Sequence, residues 1–345
     1  MTNAHHETDI AIIGAGPVGL FAVFECGMLR MRCHVIDALD GIGGQCTALY
    51  PEKPIYDVPG FPAIDAADLI ERLEQQAAPF NPVFHLGQRV ERLTPRGDGG
   101  GDGDGWVLET TAGTTIAVKA VMIAGGVGAF GPNRPPLAGL EAYEGRSVHY
   151  MVQRKAEFAG RRVVIAGGGD SALDWAIALA DLAAHVYLVH RRPKFRAAPD
   201  SVAKAEALAA AGRVEMVIPY QLAALDGADG QISTVTVATL DGQRRDLPAD
   251  ALLAFFGLSS NLGPMLDWGL SLEKSQITVD PSTCETNLPG IYAIGDIASY
   301  PKKLKLILTG FSDAAMAAHA AFPRVHPDAV LRFEHSTTKG IPKSQ

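Results

Sequence analysis

What most limits this chain is a pattern that it carries twice: a short apolar run, a cluster of small residues, a helical stretch and a second apolar run. The first copy begins at 8–13. It continues with Gly14-Ala15-Gly16-Pro17-Val18-Gly19, a helical stretch to about residue 30, and His34-Val35-Ile36 ending at Asp37. From 161 the pattern starts again, with the apolar run 162–166 and then Gly167-Gly168-Gly169-Asp170-Ser171-Ala172. Strands that alternate with helices in this way predict parallel α/β domains. In such a loop the first glycine permits a tight turn and the second lets backbone approach a pyrophosphate. The third small residue lets helix and strand pack closely, and the helix N-terminus supplies a positive dipole end. The repeat is on the scale of a domain, not of a solenoid.

The charge at the end of the next strand tells the two copies apart. Asp37 lies 37 − 14 = 23 residues after Gly14, at the end of that strand. A carboxylate there accepts hydrogen bonds from the ribose hydroxyls of an adenosine, which an ordinary tight turn would not need. Counting 191 − 167 = 24 from Gly167 reaches Arg191, with His190 and Arg192 beside it and Arg196 soon after. Guanidinium groups suit a 2′-phosphate as fixed, bidentate charges. Alone, 190–196 would read as a solvated basic turn; behind a dinucleotide loop it predicts a preference for NADP over NAD. Two such sites point to hydride chemistry between a nicotinamide and a flavin, which needs both cofactors brought together.

The whole chain agrees with this plan. Its 345 residues leave room for two domains of ~150 residues each. With 47% hydrophobic and 20% charged residues it falls in the globular class. The formal net charge of -8 argues against nucleic acid as the main partner. The four cysteines, at 26, 33, 46 and 284, form no C-x-x-C pair, so reduced thiols in the cytoplasm are expected. No signal-peptide pattern and no apolar run of ~18 residues is present, so no membrane association is expected. No metal ion is expected at either site. A hairpin is predicted between 90–96 and 106–111, with further apolar runs at 120–124, 251–256 and 291–294. The Pro-rich stretch 131–136 marks a boundary, giving a discontinuous first domain (1–133 and 262–345) and an inserted second (134–261).

These residues, in this order, resemble the two-dinucleotide flavoproteins of the thioredoxin reductase and glutathione reductase superfamily. A late strand followed by Gly-Asp, here Gly290-Ile-Tyr-Ala-Ile-Gly295-Asp296, belongs to that pattern. It would contact the ribityl chain of a flavin, and a helix starting near Thr309 would point its N-terminus at the reduced ring. Thioredoxin reductases carry C-x-x-C before the second glycine cluster; 147–160 holds no cysteine, so dithiol exchange lacks both its thiols. Nearly the whole chain, from about 8 to 340, is more specifically similar to the thioredoxin-reductase-like (type 2) ferredoxin–NADP reductases. Gly43-Gly44-Gln45, the Tyr50-Pro-Glu-Lys53 block, 55–61, 167–175, 190–196, 257–263 and the tail His335-Ser-Thr-Thr338 carry that similarity. Cys46, where an apolar residue is usual, and Asp37, where Glu is common, depart from it; an exposed Cys46 near a flavin would be prone to oxidation.

The resemblance implies an α/β protein of two Rossmann-like domains, FAD on the first and NADPH on the second. It implies FAD contacts at Gly14, Gly16, Pro17, Gly19, Asp37, Gln45, Tyr50, Val90, Phe130, Asp296 and Thr337. Tyr50 and His335 would stack on opposite faces of the flavin, so the tail would shift when the nicotinamide stacks. NADPH contacts are expected at Gly167, Gly169, Asp170, Ser171, Arg191, Arg192 and Arg196. The implied activity passes a hydride from NADPH to flavin N5 and single electrons to ferredoxin, in a homodimer. Lys302, Lys303 and Lys305 form a dense basic cluster and the expected ferredoxin dock, set against the ordinary reading of a solvated charge run. Two other readings stay open: a flavoprotein reductase using flavodoxin, a quinone or a disulfide, and a redox-sensing nucleotide-binding protein.

Overall fold

The computed structural model describes residues 4–97, 105–331 and 340. The chain forms two compact units, Met1–Phe130 with Ser260–Gln345, and Gly131–Ser259. The second is inserted in the first, and the chain crosses between them in the strands Ala129–Pro132 and Leu258–Asn261, which pair.

In the first unit five strands lie parallel in the order Ile291–Ala293, Ala120–Ile123, Ile10–Ile13, Cys33–Ile36, Val83–His85. Such strands are covered on both faces, which is why they read as continuous apolar runs rather than alternating ones. Ile10, Ile12, Val35 and Met122 join a core with Ala22, Val23 and Ala317 from the helices Pro17–Met28 and Ile307–Val325. Ala11, Ile13, Ile36, Val121 and Ile123 face the other way, onto Val90, Leu108 and Ile116 of a second sheet. That sheet pairs His5–Glu7, Thr115–Val118, Trp106–Thr110 and Val90–Pro95, and contains the expected hairpin.

The second unit sets five parallel strands in a matching order, Val148–His149, Ala251–Ala254, Arg162–Ala166, His185–Val189, Glu215–Val217, except that its edge strand Val148–His149 comes first in the chain where Ile291–Ala293 comes last. A three-stranded antiparallel sheet, Gln221–Ala228, Gln231–Ala238 and Arg244–Pro248, enters at the place occupied by 90–118 in the first unit. In each sheet the central strand leads into a glycine cluster and a helix, Pro17–Met28 in one and Asp170–Leu179 in the other. The carboxyl ends of such strands are where α/β sheets bind ligands.

Candidate functional site

In the first unit Gly14 leaves its strand with φ +115, a conformation that a side chain resists. Its N–H donates to Ile36 O at 2.8 Å, so the turn is tied to the neighbouring strand. A Cβ on Gly14 would come within 2.4 Å of Ala124 O, and one on Gly19 within 1.9 Å of Gly14 O. These two glycines are therefore set by packing. Gly16, the N-cap of the helix that starts at Pro17, is different: a Cβ there would meet nothing within 4 Å. The open space lies beside the unbonded N–H groups of the first helical turn, as an anionic pyrophosphate requires.

Asp37 sits at the end of the adjacent strand. Its Oδ2 accepts the Ala15 N–H at 2.6 Å and its Oδ1 the Leu39 N–H at 2.8 Å. Burial pushes its carboxyl above the usual range, against the lowering effect of backbone N–H bonds from Leu39, Ala15 and Ala38. The carboxylate is thus anchored on the loop that it would help to bind a ribose. The Gly43 N–H donates to Ala15 O at 2.9 Å, bringing the short helix Gln45–Ala48 alongside. Gln45 lies close to Gly126, whose Cβ would be 3.4 Å from Gln45 Nε2. Tyr50 is pushed well above the ordinary phenol range by burial, then by the nearby Cys46 and the charge of Asp296. Tyr50 and Asp296 therefore belong to one neighbourhood.

The Asp296 turn is clamped on both sides. The Gly295 N–H donates to Asp313 Oδ2 at 2.9 Å. Gln276 Nε2 donates to Asp296 O at 2.8 Å and Ala298 O at 3.1 Å. Burial raises the Asp296 carboxyl, while the cations of Lys305 and Lys303 oppose that rise. Gln276 and Asp313 are not among the residues expected from sequence. Nothing local marks Gln276. Asp313 shares the buried helix face of Gly310, Ala314 and Ala317, so an acid at this spacing within an apolar stripe is a readable signal.

The second unit carries the same loop with different chemistry. The Gly167 N–H donates to Val189 O at 3.1 Å, as Gly14 does to Ile36 O. Gly169 is the N-cap of Asp170–Leu179, and a Cβ on it would again meet nothing within 4 Å. The residue equivalent to Asp37 is His190, since 190 − 167 = 23, and its N–H bonds Val217 O as the Asp37 N–H bonds His85 O. The arginine offset of 24 thus starts one position beyond the structural match. The His190 ring lies on Gly168, where a Cβ would be 2.1 Å away, and stacks on Phe195 at 5.1 Å. Burial holds its imidazole below the usual range, and the cations of Arg196, Arg191 and Arg192 add to this. All three arginines are exposed, and among the described residues none is paired with a carboxylate. The Arg196 N–H closes the loop on Gly168 O at 2.7 Å, and Asp170 Oδ1 accepts the Ala198 N–H. Ser171 is exposed at the start of the helix.

Two expectations are corrected. Lys303 does not belong to a surface cluster: its side chain is 5% exposed and forms an ion pair with Asp313, itself 3% exposed. Only Lys302 and Lys305 present their charge, beside the exposed Leu304 and Leu308. Cys46 is buried rather than exposed, and burial pushes its thiol up to about 11, so it stays protonated near neutral pH. Val90 is buried with Ile13 and Ile36. For Phe130 the backbone alone is described, in the strand Ala129–Pro132. His335 and Thr337 lie outside the described residues.

Two α/β units, one inserted in the other and each with a dinucleotide-type loop, define a two-nucleotide oxidoreductase fold. The chain belongs to the pyridine nucleotide-disulphide oxidoreductase family, whose pattern matches residues 8–322. It is 59% identical over 340 residues to the ferredoxin–NADP reductase of Paramagnetospirillum magneticum, covering 99% of both chains. The ferredoxin–NADP reductase of Granulibacter bethesdensis is 62% identical over 337 residues, 97% of this chain and 95% of that one. Among solved structures, thioredoxin reductase from Lactococcus lactis matches with a TM-score of 0.78 at 24% identity, covering 93% of this chain and 99% of that one. That from T. acidophilum also gives 0.78, at 23% identity, covering 92% and 98%. The structural likeness shows the thioredoxin-reductase-like fold, and the similarity to type 2 ferredoxin–NADP reductases holds along the chain.

Proposed function

We propose that the chain is a ferredoxin–NADP(+) reductase, an FAD-dependent enzyme that moves electrons between NADPH and ferredoxin. The observation that carries this reading is a pair of equivalent loops with opposite charge at the adjoining strand end: Asp37 in one, and His190 with Arg191, Arg192 and Arg196 in the other. The close relatives named ferredoxin–NADP reductase support the acceptor. When bound, FAD accepts a hydride from NADPH and releases electrons singly, the conversion that an iron–sulfur partner requires.

The FAD domain is proposed to comprise 1–133 and 262–345, and the NADPH domain 134–261. The loop of Gly14, Gly16, Pro17 and Gly19 cradles the FAD pyrophosphate at Gly16, with Gly14 and Gly19 setting its turn and packing; Asp37 holds the adenosine ribose and Asp296 the ribityl chain. Gln45, Val90, Phe130 and Thr337 complete that site, with Tyr50 and His335 excluding water from the two ring faces. Gly167, Gly169, Asp170 and Ser171 take the NADPH pyrophosphate, and the arginines its 2′-phosphate. No side chain acts as acid or base; orientation supplies the catalysis. A homodimer in the cytoplasm is proposed, a setting in which the four free, buried cysteines stay reduced. Their burial also disfavours dithiol exchange.

Ferredoxin is proposed to dock on the exposed Lys302 and Lys305, with Leu304 and Leu308 as its apolar contacts. The decisive comparison sets a ferredoxin-coupled cytochrome c assay against a thioredoxin-coupled disulfide assay. Activity in the second alone, or nucleotide binding without turnover in either, would reject this function.

A further inference from the structure

Lys303 and Asp313 form an ion pair inside the first unit, with side chains 5% and 3% exposed. Both charges are fully engaged. Lys303 Nζ lies 4.7 Å from the centroid of the Tyr300 ring and 3.5 Å from its hydroxyl. Asp313 Oδ1 accepts the Tyr300 hydroxyl at 2.8 Å, and its Oδ2 accepts both Lys303 Nζ and the Gly295 N–H. Gly295 has φ +73 and immediately precedes Asp296. A Cβ on Gly310 of the Asp313 helix would lie 3.3 Å from Gly295 Cα. The helix and the turn therefore meet at one point, and the Asp313 carboxylate is the polar link across it.

A buried pair of this kind is a poor source of stability, because desolvation offsets the attraction and apolar replacements are often neutral or better. Its value lies in what else it holds. We infer that Asp313 is a positioning residue for the flavin-binding turn: with Lys303 and Tyr300 fixing its carboxylate, it holds the Gly295 amide and so sets where Asp296 presents its oxygens. Gln276 holds the other side of the same turn through Asp296 O and Ala298 O. Lys303 has a second effect: after Lys305, its cation favours the carboxylate form of Asp296, the stronger acceptor for a ribityl hydroxyl, against the rise caused by burial. Of the three lysines that follow the Gly-Asp motif, Lys303 thus serves the cofactor site from inside.

The inference rests on reading Gly295-Asp296 as the flavin contact, and the test separates the two. Two variants remove both charges. K303M/D313N keeps a carbonyl acceptor for the Gly295 amide. The triple variant Y300F/K303M/D313L orphans no polar side chain and leaves only that amide unsatisfied. FAD release from the diluted holoprotein, followed by flavin fluorescence, gives the dissociation constant, and thermal melting reports folding. The double variant is expected to hold FAD within about threefold of wild type, and the triple variant at least tenfold more weakly at a similar melting temperature. Equal FAD affinity in the triple variant would show the cluster to be packing only and overturn the inference. Equal loss in both would assign the effect to charge and overturn the amide-holding role. If the double variant fails to fold, the triple variant set against K303M alone carries the same test, with K303M expected to release FAD at higher pH on acidification. A wild-type chain that binds no FAD would defeat the flavin assignment itself.

Discussion

Replacing Gly16 with alanine separates ligand binding from folding. Gly16 has φ -72 and ψ -178, which any residue adopts, and its added Cβ meets nothing within 4 Å. Gly→Ala at a compatible position stabilises by about 0.4–1 kcal/mol through the unfolded chain. Alanine is a poorer N-cap than glycine by a similar amount, about 0.5–1 kcal/mol. The two offset, so Gly16→Ala should melt within a degree or two of wild type, roughly the shift a few tenths of a kcal/mol gives. The methyl group, however, fills the space in which a phosphate would meet the first-turn N–H groups. Losing one charge-assisted bond of about 1.5–3 kcal/mol weakens FAD about 10- to 150-fold. Gly19→Ala is the control with the reverse signature, because its Cβ would lie 1.9 Å from Gly14 O. Overpacking there costs about 1–3 kcal/mol and should lower the melting temperature. Flavin occupancy on purification and melting of both variants make the assay. A Gly16→Ala protein that retains FAD like wild type would refute the pyrophosphate placement.

At the second loop, Arg191→Ala with Arg192→Ala should lower kcat/KM for NADPH about 10- to 100-fold, two exposed charge-assisted contacts discounted for solvent. NADH should change little, and an equal fall for both nucleotides would sink the 2′-phosphate assignment. Lys302→Glu with Lys305→Glu should slow ferredoxin reduction about 2- to 10-fold at low salt and converge with wild type at high salt; a rate indifferent to ionic strength would remove the dock. Asp37 accepts ribose hydroxyls as a carboxylate, and burial raises its folded pKa, so that acceptor is lost on acidification at a higher pH than for an ordinary aspartate. FAD affinity should therefore fall with pH in wild type and less steeply in Asp37→Asn, and parallel titrations would contradict this. Cys46, with its thiol at about 11 and 2% exposure, should resist iodoacetamide in the native protein at pH 7.5; rapid labelling would show it to be accessible.

The features legible in the sequence are those set by local backbone demands. Gly14 and Gly19 are glycines because backbone comes within 2.4 Å and 1.9 Å of where a Cβ would be, and runs such as Ile10–Ile13 are apolar throughout because both sheet faces are covered. Relations between distant segments are harder to read. The count from Gly167 lands on Arg191, whereas strand pairing makes His190 the match for Asp37. The offset is 23 in both units, so the same count reaches His190, while the arginine charges that suit a 2′-phosphate begin one residue further on. Lys303 looks like its neighbours Lys302 and Lys305, and only the helix carrying Asp313 shows that its charge is spent inside. The sheet 221–248 gives no such local signal, because its strands mix exposed and buried residues without a glycine cluster to frame them.

Whether one chain holds FAD and NADPH on separate loops and passes electrons to ferredoxin is tested most directly by spectroscopy of the purified protein. Its visible spectrum is recorded first, and anaerobic bleaching by NADPH and re-oxidation by added ferredoxin are then followed. Bound flavin bands are expected, with bleaching by NADPH well ahead of NADH and a return of the bands as ferredoxin is reduced. A protein that cannot be loaded with FAD, or one whose NADPH-reduced flavin is re-oxidised by a disulfide protein and not by ferredoxin, would contradict the proposed function.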